Sequence, residues 1–170
     1  MKNSLLIALL LLLSNFLSAQ EKQLNRRDQK LKELCSNLET FTADAKNNFA
    51  SLKASAKNEN SYQSKRPFPA AFESLIVKDK GRHIFTAKLT ESSDKNLLLD
   101  DYGFFYDNLL SCLGNEYQIN ERLRESDLGH VMSAWKKDSD GGKVQLHLEF
   151  SKSDLSKAAY CLNLTIYHEE

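Results

Sequence analysis

From Leu24 to Leu52 the apolar positions are Leu24, Leu31, Leu34, Cys35, Leu38, Phe41, Ala45, Phe49 and Leu52, with mostly Lys, Glu, Asp, Asn and Arg between them. After Leu31 the steps are chiefly three and four, which places these side chains on one face of an α-helix. The pattern predicts a long amphipathic N-terminal helix from Asp28 onward, its stripe packed on the protein's own sheet. Residues 53–69 lose this periodicity and are rich in Lys, Ser and Asn, so they read as an exposed connection. The connection ends in Arg66-Pro67-Phe68-Pro69, where two prolines hold the backbone extended.

Two apolar runs follow, Phe72–Val77 and His83–Leu89, separated by Lys78-Asp79-Lys80-Gly81-Arg82. Gly81 can supply the positive φ of a tight turn, so this is a β-hairpin. Ser92, Ser93 and Asp94 are helix-capping residues, and Leu98, Tyr102, Phe105, Leu109 and Cys112 then step by four and three. A second helix is expected from Asp94 to Leu113, with Gly114 as its stop. Gly103 inside it costs about 1 kcal/mol against Ala and suggests close packing on a neighbour.

The last third alternates with period two. Val144, Leu146, Leu148 and Phe150 oppose Gln145, His147 and Glu149; Tyr160, Leu162, Leu164 and Ile166 oppose Cys161, Asn163, Thr165 and Tyr167. His130–Lys137 is a further strand, joined to Lys143–Ser151 by the turn Asp138-Ser139-Asp140-Gly141-Gly142, and Tyr117–Leu123 is another candidate. No internal repeat is visible. The whole reads as an α+β domain: long N-terminal helix, β-hairpin, second helix, then an antiparallel meander. Half-polar strands imply a sheet wet on one side, with both helices on the other, in a two-layer helix-on-sheet arrangement.

The first residues change where this domain is expected to reside. Lys2 precedes an apolar run from Leu5 to Leu17, and the small residues Ser18 and Ala19 come next. These are the parts of a secretory signal peptide, residues 1–19, cut after Ala19 to leave a single domain at 20–170. The run is too short to span a bilayer, which takes roughly 20 apolar residues. The first cysteine is Cys35, so no thiol stands where a bacterial lipoprotein would carry its lipid. The mature chain is expected to be soluble, exported to the periplasm or beyond the cell, and not inserted in a membrane.

Charge removes one class of partner. With 23 Lys plus Arg against 23 Asp plus Glu, no net field favours nucleic acid. Export makes the three cysteines matter. Cys35 and Cys112 lie on or beside the inward stripes of the two helices, so they form the one easy disulfide. Alternatively both are small core residues. Cys161 falls on the polar side of its strand, as an exposed free thiol that could support a dimer bond.

If Phe150 faces Tyr160 in the last hairpin, His147 faces Asn163 and Glu149 faces Cys161, gathering a His, a carboxylate, an amide and a thiol on one face. A flat wet sheet gives such a group no pocket, so polar cross-strand pairing is the expected role. No GxSxG, HExxH, Walker or GxGxxG pattern occurs, and no CxxC pair suggests a metal or cofactor. Asn163-Leu164-Thr165 matches a glycosylation sequon of a kind common by chance.

Trp135 and the aromatics Tyr102, Phe104, Phe105 and Tyr106 are mostly core candidates. One stripe cannot bury all four on the helix, so Phe104 and Tyr106 should reach an edge beside Phe68. The expectation is therefore a non-enzymatic exported protein of inhibitor, chaperone or toxin-neutralising type. It would bind another macromolecule, expected to be a protein, in the bacterial envelope. The candidate surface residues are Phe68, Phe104, Tyr106, His147, Glu149 and Asn163. The alternative is a small-ligand binder or envelope enzyme with a pocket between helices and sheet.

Overall fold

A computed structural model describes residues 32–123, 130–152 and 159–170. The signal-peptide reading of residues 1–19, its cut after Ala19, and the part of the first helix before residue 32 lie outside the described residues. The account below concerns the compact unit Leu34–Glu170.

Helix α1 is seen at residues 32–45 and ends earlier than its spacing suggests. Phe49 N–H donates to the Asp44 carbonyl at 3.0 Å and Asn48 N–H to that of Ala45 at 3.0 Å. Asn48 has φ 54°, so these two bonds make a Schellman cap with Asn48 in the left-handed position. Phe49 and Leu52 stay buried beyond the cap, which is why the helical step continues past the helix.

Residues 53–66, expected as an exposed connection, instead carry two strands, β1 (Lys53–Asn58) and β2 (Ser61–Ser64). Their pairing shifts register twice, and β1 is exposed at every position after Lys53. A strand wet on both faces has no reason to alternate, so its sequence carries no period-two signal. The expected hairpin is β3 (Glu73–Asp79) and β4 (Arg82–Ser92). Its two-residue turn has φ 48° at Lys80 and 88° at Gly81. Positive φ at both positions is the type I′ requirement that glycine meets best.

Helix α2 spans Lys95–Cys112, and the Asp94 carboxylate accepts from Asn96 N–H at 2.9 Å and Leu97 N–H at 3.4 Å. Leu98, Tyr102, Phe105 and Leu109 are its buried residues. Gly103 does not mark close packing: no atom lies within 4 Å of where its Cβ would be. The remaining strands are β5 (Gln118–Leu123), β6 (His130–Lys137), β7 (Lys143–Lys152) and β8 (Tyr160–Glu169).

All pairings are antiparallel and the sheet order is β1-β2-β3-β4-β8-β7-β6-β5. The chain is thus mixed α+β, with two helices and one eight-stranded sheet among the described residues. Each helix leads into a four-strand meander, and the meanders meet at the β4–β8 ladder. The connectivity repeats although no sequence repeat is visible.

One core joins these elements. Leu34, Leu38, Phe41 and Ala45 of α1 share a cluster with Tyr102, Phe105 and Leu109 of α2. The same cluster takes Ile76, Phe85, Ala87, Met132, Leu146, Leu148, Leu164 and Ile166 from the strands. Phe41 stacks on Phe85 with ring centroids 4.1 Å apart. Cys35 and Cys112 are joined by a disulfide, tying α1 to α2 across a sequence separation of 77.

Candidate docking face

Strand register assigns the residues that oppose this core. One row crosses the sheet as Val77, Ile84, Tyr167, Gln145 and Trp135. The next is Leu75, Thr86, Thr165, His147 and Ser133. A third is Glu73, Lys88, Asn163, Glu149 and Val131. In the first two rows every residue is half-buried, whereas the alternate positions on the same strands are fully buried. This is the outer face. It carries aliphatic side chains over β3 and β4 and an aromatic-polar group over β8, β7 and β6.

The polar group is ordered by hydrogen bonds. Ser133 Oγ lies 2.9 Å from His147 Nδ1, and His147 Nε2 lies 3.1 Å from the Tyr167 hydroxyl. The Tyr167 hydroxyl donates to Gln145 Oε1 at 3.1 Å, and Gln145 Nε2 donates to Glu169. Because Tyr167 spends its proton on Gln145, its oxygen accepts from His147 Nε2–H. Ser133 Oγ pairs with the other ring nitrogen, and from His147 onward the donors run in one direction, to the Glu169 carboxylate. His147 also stacks on Tyr167, with ring centroids 5.6 Å apart and planes 11° apart.

Two cations rest on this group. The Arg82 guanidinium lies 4.4 Å from the Tyr167 ring centroid and Lys143 Nζ lies 5.2 Å from that of Trp135. Burial pushes the Tyr167 hydroxyl above the usual phenol range, with Arg82 pulling the other way. In this arrangement the second imidazole nitrogen is held by a phenol, and the β6 backbone around Ser133 is paired on both sides, with β5 and β7. The group's chemistry is that of a rigid surface with fixed donors and acceptors.

The remaining site candidates fall apart. Phe68 is buried, not on a surface: it packs 5.9 Å from Phe41 and 6.5 Å from Phe85. Ser74 Oγ fixes its backbone by accepting from Phe68 N–H at 3.0 Å. Phe104 is 47% exposed on α2, and Tyr106, half-buried, stacks on Tyr102 at 5.9 Å, so neither forms a patch with Phe68.

In the last hairpin His147 faces Thr165 and Glu149 faces Asn163, two residues away from the expected register. Cys161 is buried rather than an exposed thiol, and so is Asn163. The Asn163 amide donates to Ser151 Oγ and to the Cys161 carbonyl while Cys161 Sγ points at Asn163 Oδ1, so the three side chains fill one another's space. Trp135, expected in the core, is half-buried on the outer face.

The sequence reading placed Tyr167 on the wet side but missed Leu75, Val77 and Ile84 as surface residues. The available signal was the unbroken apolar run Leu75-Ile76-Val77 in β3 and Ile84 beside Phe85 in β4, which a strand wet on one side does not require.

At the far end of the sheet, Asp138 Oδ2 meets His168 Nε2 at 2.6 Å. The hydrogen bond from His168 holds the Asp138 carboxyl below its usual range. A Cβ on Gly142 would strike the His168 ring, so this close approach requires glycine. A surface depression of about 550 Å³ opens there, lined by Lys46, Asp138, His168 and Glu170. Another of about 640 Å³ lies at the outer-face corner, where Glu73 bridges Lys57 at 2.6 Å and Lys88 at 3.0 Å.

Among the described residues no group of three His, Cys, Asp or Glu side chains is placed to hold a metal ion. None of their helices is long and apolar enough to cross a membrane. No family model, no curated protein and no solved structure matches this chain.

Proposed function

We propose that this chain is an exported, non-enzymatic protein that binds another protein through the outer face of its sheet. In this reading residues 1–19 are a signal peptide and both helices layer over the buried face, so the sheet is half of a two-layer domain. The observation that supports it is the pair of outer rows. Leu75, Val77, Ile84 and Tyr167 give a half-buried apolar strip across adjacent strands, with Trp135 beyond Gln145, beside polar groups whose hydrogen bonds are already ordered. Apolar anchors ringed by preset polar groups suit a protein partner of the inhibitor, chaperone or toxin-neutralising type. The disulfide between Cys35 and Cys112 is compatible with an oxidising envelope compartment.

Two measurements test this. N-terminal sequencing of protein from the envelope or medium should begin near Gln20; an intact Met1 in the cytosol overturns export. A photo-crosslinking residue at Ile84 or Trp135 in living cells should trap one discrete partner, with Ile84→Lys abolishing the adduct formed through Trp135. The same probe at Ala54 on the exposed edge strand should trap none. Equal trapping at all three positions overturns the docking face.

A further inference from the structure

We propose that the outward side of α2 is a second docking site, one that takes a cationic amphipathic helix from another protein. The stripe opposite the buried face consists of Leu97, Asp100, Phe104, Asp107 and Ser111, and all five are exposed. Their spacing of three and four is that of a helix-packing seam. Leu97 and Phe104 are each 47% exposed, among the few large apolar side chains left so open in the described residues. Being seven apart, they stand two turns from one another along the same line, as knobs set for a neighbouring helix.

The surroundings specify the neighbour. Asp100 and Asp107 sit on the stripe between and beyond the two knobs. Neither carboxylate is in an ion pair among the described residues. Asp101, in contrast, is engaged by the Thr90 hydroxyl at 2.6 Å. The one cation on the helix is Lys95, at its start. An acidic, apolar-studded helix face is complemented by Lys or Arg flanking an apolar seam.

Gly103 lies three residues after Asp100 and four before Asp107, on the same side, with open space where its Cβ would be. Nothing within the described chain uses this gap. A partner helix laid between the two carboxylates would use it to bring its backbone close. A second copy of α2 is a poor occupant, since a two-fold contact would set Asp against Asp. An anionic lipid surface would be repelled by the same carboxylates.

The test uses the full chain and two fluorescent peptides of about three heptads with Leu at the seam positions. One carries Lys at the flanking positions and the other Glu. The Leu/Lys peptide should bind saturably and the Leu/Glu peptide should not, at physiological salt. Phe104→Ala should weaken binding by at least about tenfold, the scale of a central anchor. Asp100→Lys with Asp107→Lys should reverse the preference to the Leu/Glu peptide. Gly103→Ala should raise the thermal midpoint yet weaken binding.

All these sites are on the helix surface, and circular dichroism verifies folding. Ile84→Lys, on the sheet face, should leave peptide affinity unchanged, which separates this proposal from the one above. Equal affinity for both peptides overturns it, as does Leu/Lys binding that survives the charge reversal. So does a concentration-dependent dimer abolished by Phe104→Ala, which would assign the stripe to self-association.

Discussion

The two halves of the molecule share a connectivity but are held together differently. In the first, α1 and β1–β4, the outer strands are short and β1 is bulged and exposed. Its buried ring contacts compensate: Phe85 meets Phe41 at 4.1 Å, Phe49 at 6.1 Å and Phe68 at 6.5 Å. In the second, α2 and β5–β8, the β7–β8 ladder runs ten residue pairs without a shift. Its core is mostly aliphatic, built of Leu98, Leu109, Met132, Leu146, Leu148, Leu162, Leu164 and Ile166, with Tyr102 and Phe105 of α2 as its buried rings. Few ladder pairs require large rings to bury enough apolar area; many pairs gather it from small ones. The same order of elements can therefore rest on one aromatic hub or on a distributed aliphatic layer.

Removing the hub is the most direct way to break that contrast. Phe85→Ala should cost about 4 kcal/mol in urea unfolding and Leu164→Ala about 3 kcal/mol, because only the first opens a cavity shared by three rings. A larger loss at Leu164 would contradict it. The disulfide joins the halves through their helices, and Cys35→Ser with Cys112→Ser should cost about 3 kcal/mol. Thermal melting with and without reductant checks this: the wild type should shift and the double variant should not.

Asp94→Ala removes the α2 cap and should cost about 1 kcal/mol. Hydrogen exchange should speed up at the first turn of α2 while β3 and β4 stay unchanged. The smallest effect is expected at Glu73, on the first half's edge. Glu73→Gln should cost at most about 0.5 kcal/mol, since Lys57 is exposed and Lys88 is only half-buried. Hydrogen bonds from Lys57 and Lys88 hold the Glu73 carboxyl below its ordinary value of 4.5. A carboxyl lowered by folding stabilises above its unfolded value and loses that contribution as pH falls through the folded one. The gap between wild type and variant should thus be constant near neutrality and close in acid.

The same contrast explains what could be read from the sequence. β7 and β8 announced themselves through alternation because one face of each is in the core, and β6 through the turn that joins it to β7. Asp94, Gly81 and the Asp138–Gly142 turn were legible because local backbone geometry selects those residues. β1 and β2 were not, since Lys53–Asn58 is wet on both sides and nothing in it alternates. Phe49 and Leu52 overstated α1 because a Schellman turn happens to keep them at helical spacing.

The docking face was half visible. His147 and Glu149 were placed on the correct side, but their partners depend on the strand register, which alternation alone does not fix. Leu75, Val77 and Ile84 look like core in sequence, because hydrophobicity alone does not tell a second buried face from one awaiting a partner. Asn163 shows the reverse error, a polar residue enclosed because Ser151 and Cys161 satisfy it.

The strand order has a consequence for how the chain completes itself. β8 follows every other strand in the sequence, yet it occupies the middle of the sheet, with Ile84 of β4 and Gln145 of β7 both facing Tyr167. Without β8 the two meanders would share no ladder, and β4 and β7 would each present an open edge. Loss of the final strand would remove the keystone, not a fringe.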